Sequence, residues 1–195
     1  KGLIPFEELP HVYNPECGFI LSANNKTIDN SYPYHIGTWY ALPYRYNRIK
    51  EILESKEKLD IHDFQNMQND FTSKYAEEFI QAMLKRINRD KIHDKKAIEA
   101  IYLLKKWDFN MSPQFPEPTI FESWTTEFIE KLFKDELGDE IFMQFIDVYQ
   151  LSSFAINSIM KNGSSVWSDN VETEQVEVLN DIVTESFTST ITKLN

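Results

Sequence analysis

Asn24 and two arginines, Arg45 and Arg48, are the side chains whose types and spacing suit a chemical task. Asn24 follows a short apolar run, and a side-chain amide at the end of a strand can donate a hydrogen bond to an oxygen that becomes negative. Such an oxygen forms in the tetrahedral intermediate of amide hydrolysis. A guanidinium stays charged and presents several donors in a fixed geometry, so either arginine could orient a reacting group.

Each of these residues also has a simpler structural interpretation. An Asn-Asn pair after a strand is commonly a turn, because asparagine bonds nearby backbone groups and tolerates positive φ. The turn and the donor are compatible, since a turn can hold a donor in place. Arg45 and Arg48 lie one helical turn apart, and either could pair with Glu51 or Glu54 on a helix surface. The residues alone leave these alternatives open.

The elements that must position these side chains belong to a predicted mainly α-helical fold. We expect an irregular, orthogonal multi-helix bundle, preceded by a short N-terminal β-strand and an aromatic-rich loop. Residues 18–22 form a short apolar run that predicts a buried strand. We place the domain boundary between a strand and loop segment, 1–44, and a helical domain, 45–195.

Helices in the second segment are predicted from apolar side chains that recur every three or four residues. Asp60 is expected to cap one helix, and Gly138 is expected to end another. The sets that define the apolar stripes are Tyr75, Phe79, Met83 and Ile87; Phe121, Trp124, Phe128 and Leu132; Phe142, Phe145, Ile146 and Tyr149; and Leu179, Val183, Phe187 and Ile191.

Composition excludes several classes of protein. A hydrophobic content of 42%, with 14% aromatic residues, excludes a disordered chain. The formal net charge of −11 would repel a phosphate backbone, so nucleic acid is not an expected partner. No apolar run approaches the roughly 20 residues that span a bilayer, so no membrane span is expected. Cys17 is the single cysteine and cannot form an internal disulfide.

Three short stretches form a more specific pattern. Residues 14–25 read Asn-Pro-Glu-Cys-Gly-Phe-Ile-Leu-Ser-Ala-Asn-Asn, residues 32–34 read Tyr-Pro-Tyr, and residues 43–49 read Pro-Tyr-Arg-Tyr-Asn-Arg-Ile. This combination resembles the β-chain of the penicillin acylase (penicillin amidase) family of N-terminal-nucleophile hydrolases. Matches at 67–73, 107–121 and 167–172 follow the family's order, so the resemblance covers nearly the whole chain.

The resemblance implies that Asn24 builds the oxyanion hole and that Arg48 orients the site, with Arg45 as the competing candidate. The family's nucleophile is a serine that becomes the first residue of the β-chain after self-cleavage, and its free α-amino group acts as the base. This chain begins with Lys1 and carries no such residue, and an internal serine lacks the free amine. We therefore expect the chain alone to be inactive.

Two functional interpretations follow from the resemblance. In the first, the chain is an internal segment of an amide hydrolase that acts on N-acyl small molecules, with the remaining α- and β-chain segments as its partners. In the second, it is a non-catalytic helical binding or interaction module derived from the family. Penicillins, acyl-homoserine lactones and other N-acyl compounds all remain open as substrates. The family also suggests an exported, periplasmic or extracellular location.

A metal is not expected in this chain. The family commonly binds calcium through an acidic residue between this asparagine and this arginine. The corresponding residues 34–37 read Tyr-His-Ile-Gly and contain no carboxylate, although Asp29 lies close by. None of the four histidines has the spacing of a metal ligand with a second histidine or cysteine. We therefore predict no cofactor, with calcium possible only in the whole enzyme.

Overall fold

The computed structural model describes residues 2–148 and 150–195, and this part of the chain contains seven α-helices. They are α1 (Tyr44–Glu54), α2 (Ile61–Gln68), α3 (Lys74–Arg86), α4 (Lys95–Lys106), α5 (Pro116–Asp147), α6 (Leu151–Asn162) and α7 (Leu179–Leu194). The prediction of a mainly α-helical protein is confirmed. Lys1 and Tyr149, both used in the sequence predictions, lie outside the described residues. Within the described ranges, no helix is both long and apolar enough to cross a membrane.

The chain divides into two compact units, the first ending at Asp70 and the second covering Phe71–Asn195. The first unit contains a long irregular segment followed by α1 and α2, and the second contains α3 to α7. The first α-helix starts at Tyr44, next to the predicted boundary between residues 44 and 45. That boundary, between a segment bordering an active site and a helical domain, stays a prediction.

The predicted strand at residues 18–22 is wrong. The described part of the chain has no strand there, and Ile20, expected to be buried, is 70% exposed. The nearest backbone pairing is an isolated parallel bridge between Asn25 and Ala41. A strand requires a neighbour whose N–H and C=O groups complete the ladder. The apolar run therefore has the composition of a strand without the partner that would make it one.

Two local signals act at the positions predicted from the sequence, one as the start of a helix and the other, Gly138, as a break inside a helix rather than its end. The Asp60 carboxylate accepts hydrogen bonds from the backbone N–H groups of His62 (2.8 Å) and Asp63 (3.1 Å), which caps α2. Gly138 interrupts α5 with φ 67° and ψ 167°, a conformation that glycine adopts because it has no Cβ. The helix on either side of Gly138 can therefore change direction within one continuous segment.

The second unit packs an apolar core between its helices, and α5 and α7 make its most extensive contact. The rings of Trp124 in α5 and Phe187 in α7 have centroids 4.7 Å apart. The Trp124 indole N–H also donates to Ser186 Oγ at 3.1 Å, which satisfies the one polar atom of that buried ring. Most residues of the predicted stripes are buried here, including Phe79, Met83, Phe121, Trp124, Phe128, Leu132, Phe142, Leu179, Val183, Phe187 and Ile191.

Glu136 is an unusual carboxyl group on α5. Its Oε2 atom is buried and makes no hydrogen bond to any residue that the structure describes. Burial is the largest cause that raises the pKa of Glu136 to about 7, followed by the hydrogen bond with the Asp135 side chain and the repulsion from its charge. The repulsion from Asp169 acts in the same direction. The folded protein therefore binds a proton at Glu136 more tightly than the unfolded chain does.

We expect the free energy of unfolding to fall as the pH rises through the window from 4.5 to about 7. In that window the folded state holds the Glu136 proton while the unfolded state has released it, so a rising pH favours unfolding. Glu136→Gln should remove about 1 kcal/mol of this dependence, a value reduced because solvent screens a partly exposed group. Urea unfolding at pH 5 and pH 8 measures the free energy of unfolding of the wild-type protein and of Glu136→Gln.

Glu140 is the matched control for this experiment, because it is an exposed glutamate on the same helix. Glu140→Gln should leave the pH dependence of the wild-type protein in place. An equal pH dependence in Glu136→Gln and the wild-type protein would contradict the assignment to Glu136.

Candidate functional site

Asn24 lies in a turn of the irregular segment of the first unit. Its φ of 61° is in the left-handed region, which asparagine tolerates better than most residues because its short polar side chain bonds locally. Its backbone carbonyl accepts a hydrogen bond from Ala41 N at 2.7 Å. On the other side, Ala23 N donates to Asn25 Oδ1 at 3.0 Å. The turn interpretation of the Asn-Asn pair is therefore observed, and the turn places the Asn24 side chain at the surface.

Arg45, in the first turn of α1, bonds directly to this turn. Its Nη2 atom donates to Asn24 Oδ1 at 2.9 Å and to the backbone carbonyl of Ala23 at 3.0 Å. A guanidinium has no acceptor, so only the oxygen of the Asn24 amide can face it. The NH₂ end of the amide must therefore point away from Arg45. Among the described residues, no acceptor is hydrogen-bonded to Asn24 Nδ2.

Arg48 has different partners. Its Nε donates to Asp70 Oδ2 at 2.8 Å, and its Nη1 lies 3.2 Å from Glu51 Oε2. Burial lowers the pKa of Arg48, but the hydrogen bonds that it donates to Asp70 and Glu51 outweigh burial, so the pKa is raised overall and the charge is retained. The surface pairing with Glu51, one of the two alternatives at the sequence level, is observed, and Asp70 is a partner that sequence reasoning did not identify.

The structure thus separates the two candidate arginines. Arg45 bonds to Asn24, while Arg48 binds the carboxylate of Asp70, at the end of the first unit. Asp70 follows α2, so the ion pair connects α1 to the residues just after α2. The catalytic roles of Asn24 and Arg48 stay predictions, and the geometry adds Arg45 as a third residue of the candidate site.

The absence of calcium between Asn24 and Arg48 stays a prediction. Asp29 is the one carboxylate in this stretch. Its Oδ1 already accepts from the Ser31 backbone N–H at 2.8 Å and from Ser31 Oγ at 2.5 Å, and these bonds lower the pKa of Asp29. Calcium takes six to eight oxygen ligands, usually with several carboxylates. In residues 2–148 and 150–195 no three histidine, cysteine or acidic side chains are grouped closely enough to hold a metal.

Two clefts of the second unit differ in the polarity of their linings. A polar cleft of about 310 Å³ beside Gly138 is lined by charged side chains of both signs, and Lys134 there pairs with Glu130 at 2.7 Å and Asp139 at 3.5 Å. A more apolar cleft of about 460 Å³ lies against Phe142, Met143 and Ile146. These clefts contain none of the residues predicted for the site.

Comparison with known proteins identifies the family of this chain. The model of the penicillin amidase family matches residues 1–195. The acyl-homoserine lactone acylase QuiP of Pseudomonas syringae pv. syringae (strain B728a) is 27% identical over 197 residues, which covers 94% of this chain and 24% of that protein. The penicillin acylase 2 proenzyme of Pseudomonas sp. (strain SE83) is 35% identical over 63 residues, which covers 32% of this chain and 8% of the proenzyme.

The chain covers only a small share of the length of each relative. QuiP of Pseudomonas fluorescens (strain Pf0-1) is 27% identical over 141 residues, covering 67% of this chain and 17% of that protein. The chain therefore spans about a quarter or less of the length of the curated relatives it matches.

Proposed function

The chain belongs to the penicillin amidase family, and on that premise we propose that it supplies part of the active site of an amide hydrolase. Asn24 is the oxyanion-hole donor, and Arg48 orients the site. The nucleophile is a serine outside these 195 residues. The observation that carries the proposal is the Asn24 side chain, exposed on a turn with its amide oxygen bonded to Arg45 and its N–H groups directed away.

The proposed role of Asn24 follows from the charge that develops during acyl transfer. When the serine oxygen attacks the amide carbon, the carbonyl oxygen takes the electron pair of the C=O bond and becomes negative. An amide N–H of Asn24 donates to that oxygen and lowers the energy of the intermediate. When the intermediate collapses, the C–N bond breaks and the proton given up by the serine hydroxyl passes to the departing amine. The acyl-serine that remains is then hydrolysed by water to the carboxylic acid and the free serine.

Arg48 is proposed to act by fixing the framework of the site. Its bond to Asp70 connects α1 to the chain beyond α2, and Arg48 is half-buried, so the position of α1 in the first unit depends on this pair. A guanidinium suits this role because it stays charged and offers several donors in a rigid plane.

The substrate class is proposed to be N-acyl small molecules. The names of the relatives refer to acyl-homoserine lactones in one case and penicillin in another. Cleavage of an acyl group from nitrogen is common to both. The oxyanion donor acts on the shared amide carbonyl, so the proposed role of Asn24 is the same for either substrate.

A comparison of the 195-residue chain with the complete protein tests the proposal. The 195-residue chain and the complete protein, meaning the longer polypeptide that we propose contains it, are each incubated with an N-acyl homoserine lactone and with a penicillin. Release of a free primary amine is then measured. We expect turnover by the complete protein and none above buffer by the chain alone. Turnover by the bare chain would contradict the absence of the nucleophile, and an inactive complete protein would contradict the enzymatic role.

A further inference from the structure

We propose that Arg45 is a positioning residue that sets the orientation of the Asn24 amide for catalysis. The inference rests on the proposed function of Asn24 as an oxyanion donor. It goes beyond that function because it assigns a role to Arg45, for which the sequence predicted only competition with Arg48.

The first argument concerns the two ends of the amide. Rotation of the Asn24 side chain by half a turn about its last bond exchanges the oxygen and the NH₂ group in nearly the same space. With NH₂ outward the side chain stabilises an oxyanion, whereas with oxygen outward it repels one. The Nη2 of Arg45, 2.9 Å from Asn24 Oδ1, bonds only to the first orientation. Arg45 thereby selects the orientation that is useful for catalysis.

The second argument is that the same guanidinium nitrogen also holds the backbone. Nη2 carries two hydrogens, and its second acceptor is the carbonyl of Ala23 at 3.0 Å. On the opposite side of the residue, Ala41 N donates to the Asn24 carbonyl at 2.7 Å. Asn24 is therefore held at its side chain, at the preceding carbonyl and at its own carbonyl. Fixed donors need no reorganisation when the charge develops.

The third argument is electrostatic. A hydrogen bond from a charged donor is stronger than one between neutral groups, and it polarises the acceptor. The positive charge of Arg45 draws electron density toward Asn24 Oδ1, which makes the N–H groups at the other end of the amide better donors. A residue at position 45 with neither an N–H donor nor a charge would supply neither the orientation nor this polarisation.

Arg48 complements this role from the same helix. Arg45 and Arg48 are three residues apart in α1 and therefore lie on neighbouring parts of one helix face. The Arg48 bond to Asp70 holds α1, and α1 presents Arg45 to Asn24. The two arginines thus act in series, with Arg48 supporting the helix and Arg45 contacting the donor.

A double-mutant cycle in the complete protein separates positioning from a general structural effect. Arg45→Ala should lower kcat about 10- to 100-fold with little change in KM, because the donor acts mainly on the transition state. In an Asn24→Ala background, Arg45→Ala should lower kcat by less than about a further twofold, because the side chain that Arg45 orients is already absent. Arg45→Lys should fall between the wild type and Arg45→Ala, since an ammonium keeps a charged donor but lacks the planar guanidinium.

Arg89 is the matched control, because it is an exposed arginine in the second unit. Arg89→Ala should retain kcat and KM within about twofold. Equal losses from Arg45→Ala with and without Asn24 would overturn the proposal, since Arg45 would then act elsewhere. A loss of less than about twofold in Arg45→Ala alone would overturn it as well.

A spectroscopic measurement on the 195-residue chain distinguishes failure of this inference from failure of the proposed function. In ¹H–¹⁵N spectra, the side-chain NH₂ pair of Asn24 should shift toward solvent-exposed values in Arg45→Ala and should be unchanged in Arg89→Ala. If the complete protein is inactive but this shift occurs, the function fails while the orienting contact stands. If the Asn24 resonances do not respond to Arg45→Ala, the positioning inference fails whatever the activity.

Discussion

Asn24→Ala is expected to lower kcat/KM of the complete protein for N-acyl substrates by about a hundredfold or more. Removal of one oxyanion donor typically costs on the order of 3 kcal/mol in the transition state. The loss should fall mainly on kcat, because the N–H bond is strongest when the carbonyl oxygen is negative. Steady-state kinetics of amine release with saturating and limiting substrate measures this split.

Three substitutions at position 24 separate the donor from the backbone. Alanine at φ 61° carries a steric cost that glycine does not, so Asn24→Gly controls for strain in the turn. Asn24→Asp keeps an acceptor for Arg45 but replaces the N–H donors with a negative oxygen. All three variants should therefore lose activity, with Asn24→Asp at least as impaired as Asn24→Ala. Wild-type turnover by Asn24→Asp would exclude Asn24 as the donor.

Phe128→Ala is expected to reduce the free energy of unfolding by about 3–5 kcal/mol, the range for truncation of a buried aromatic side chain. Phe128 is fully buried on α5, and its ring centroid lies 6.0 Å from that of Phe79 on α3. The substitution removes this contact and leaves a cavity between two helices. Because domains are typically stable by only 5–15 kcal/mol, a large part of the stability would be lost. Urea denaturation followed by circular dichroism measures the change.

Phe115 provides the control for this prediction. It immediately precedes α5, and 56% of its surface is exposed, so Phe115→Ala removes a phenyl ring without opening a core cavity. Its effect should stay below about 1 kcal/mol. Similar losses in Phe128→Ala and Phe115→Ala would show that the contact between α3 and α5 does not carry the stability that its burial indicates.

The sequence predicts the helices of this protein better than it predicts the segment that leads to the candidate site. The stripe that contains Phe79 and Met83 predicts the buried face of α3, and both residues are at most 4% exposed. The caps at Asp60 and the break at Gly138 were also predictable, because each depends on residues within one or two turns. The strand at residues 18–22 was not, because a strand is defined by a partner chain segment that local composition cannot reveal.

The apolar periods by themselves determined that this protein is helical and predicted most of the side chains in its core, although Ile146 of one predicted stripe is exposed. The resemblance of residues 14–49 to the penicillin amidase family indicated Asn24 as the candidate donor. Only the tertiary structure decided that Arg45 bonds to Asn24 while Arg48 bonds to Asp70. The two arginines share a residue type and a helix face, so their spacing alone gives no basis for assigning a bonding partner to each. Their partners lie 21 and 22 residues away along the chain, and contacts over that distance depend on how the intervening loop and helices fold.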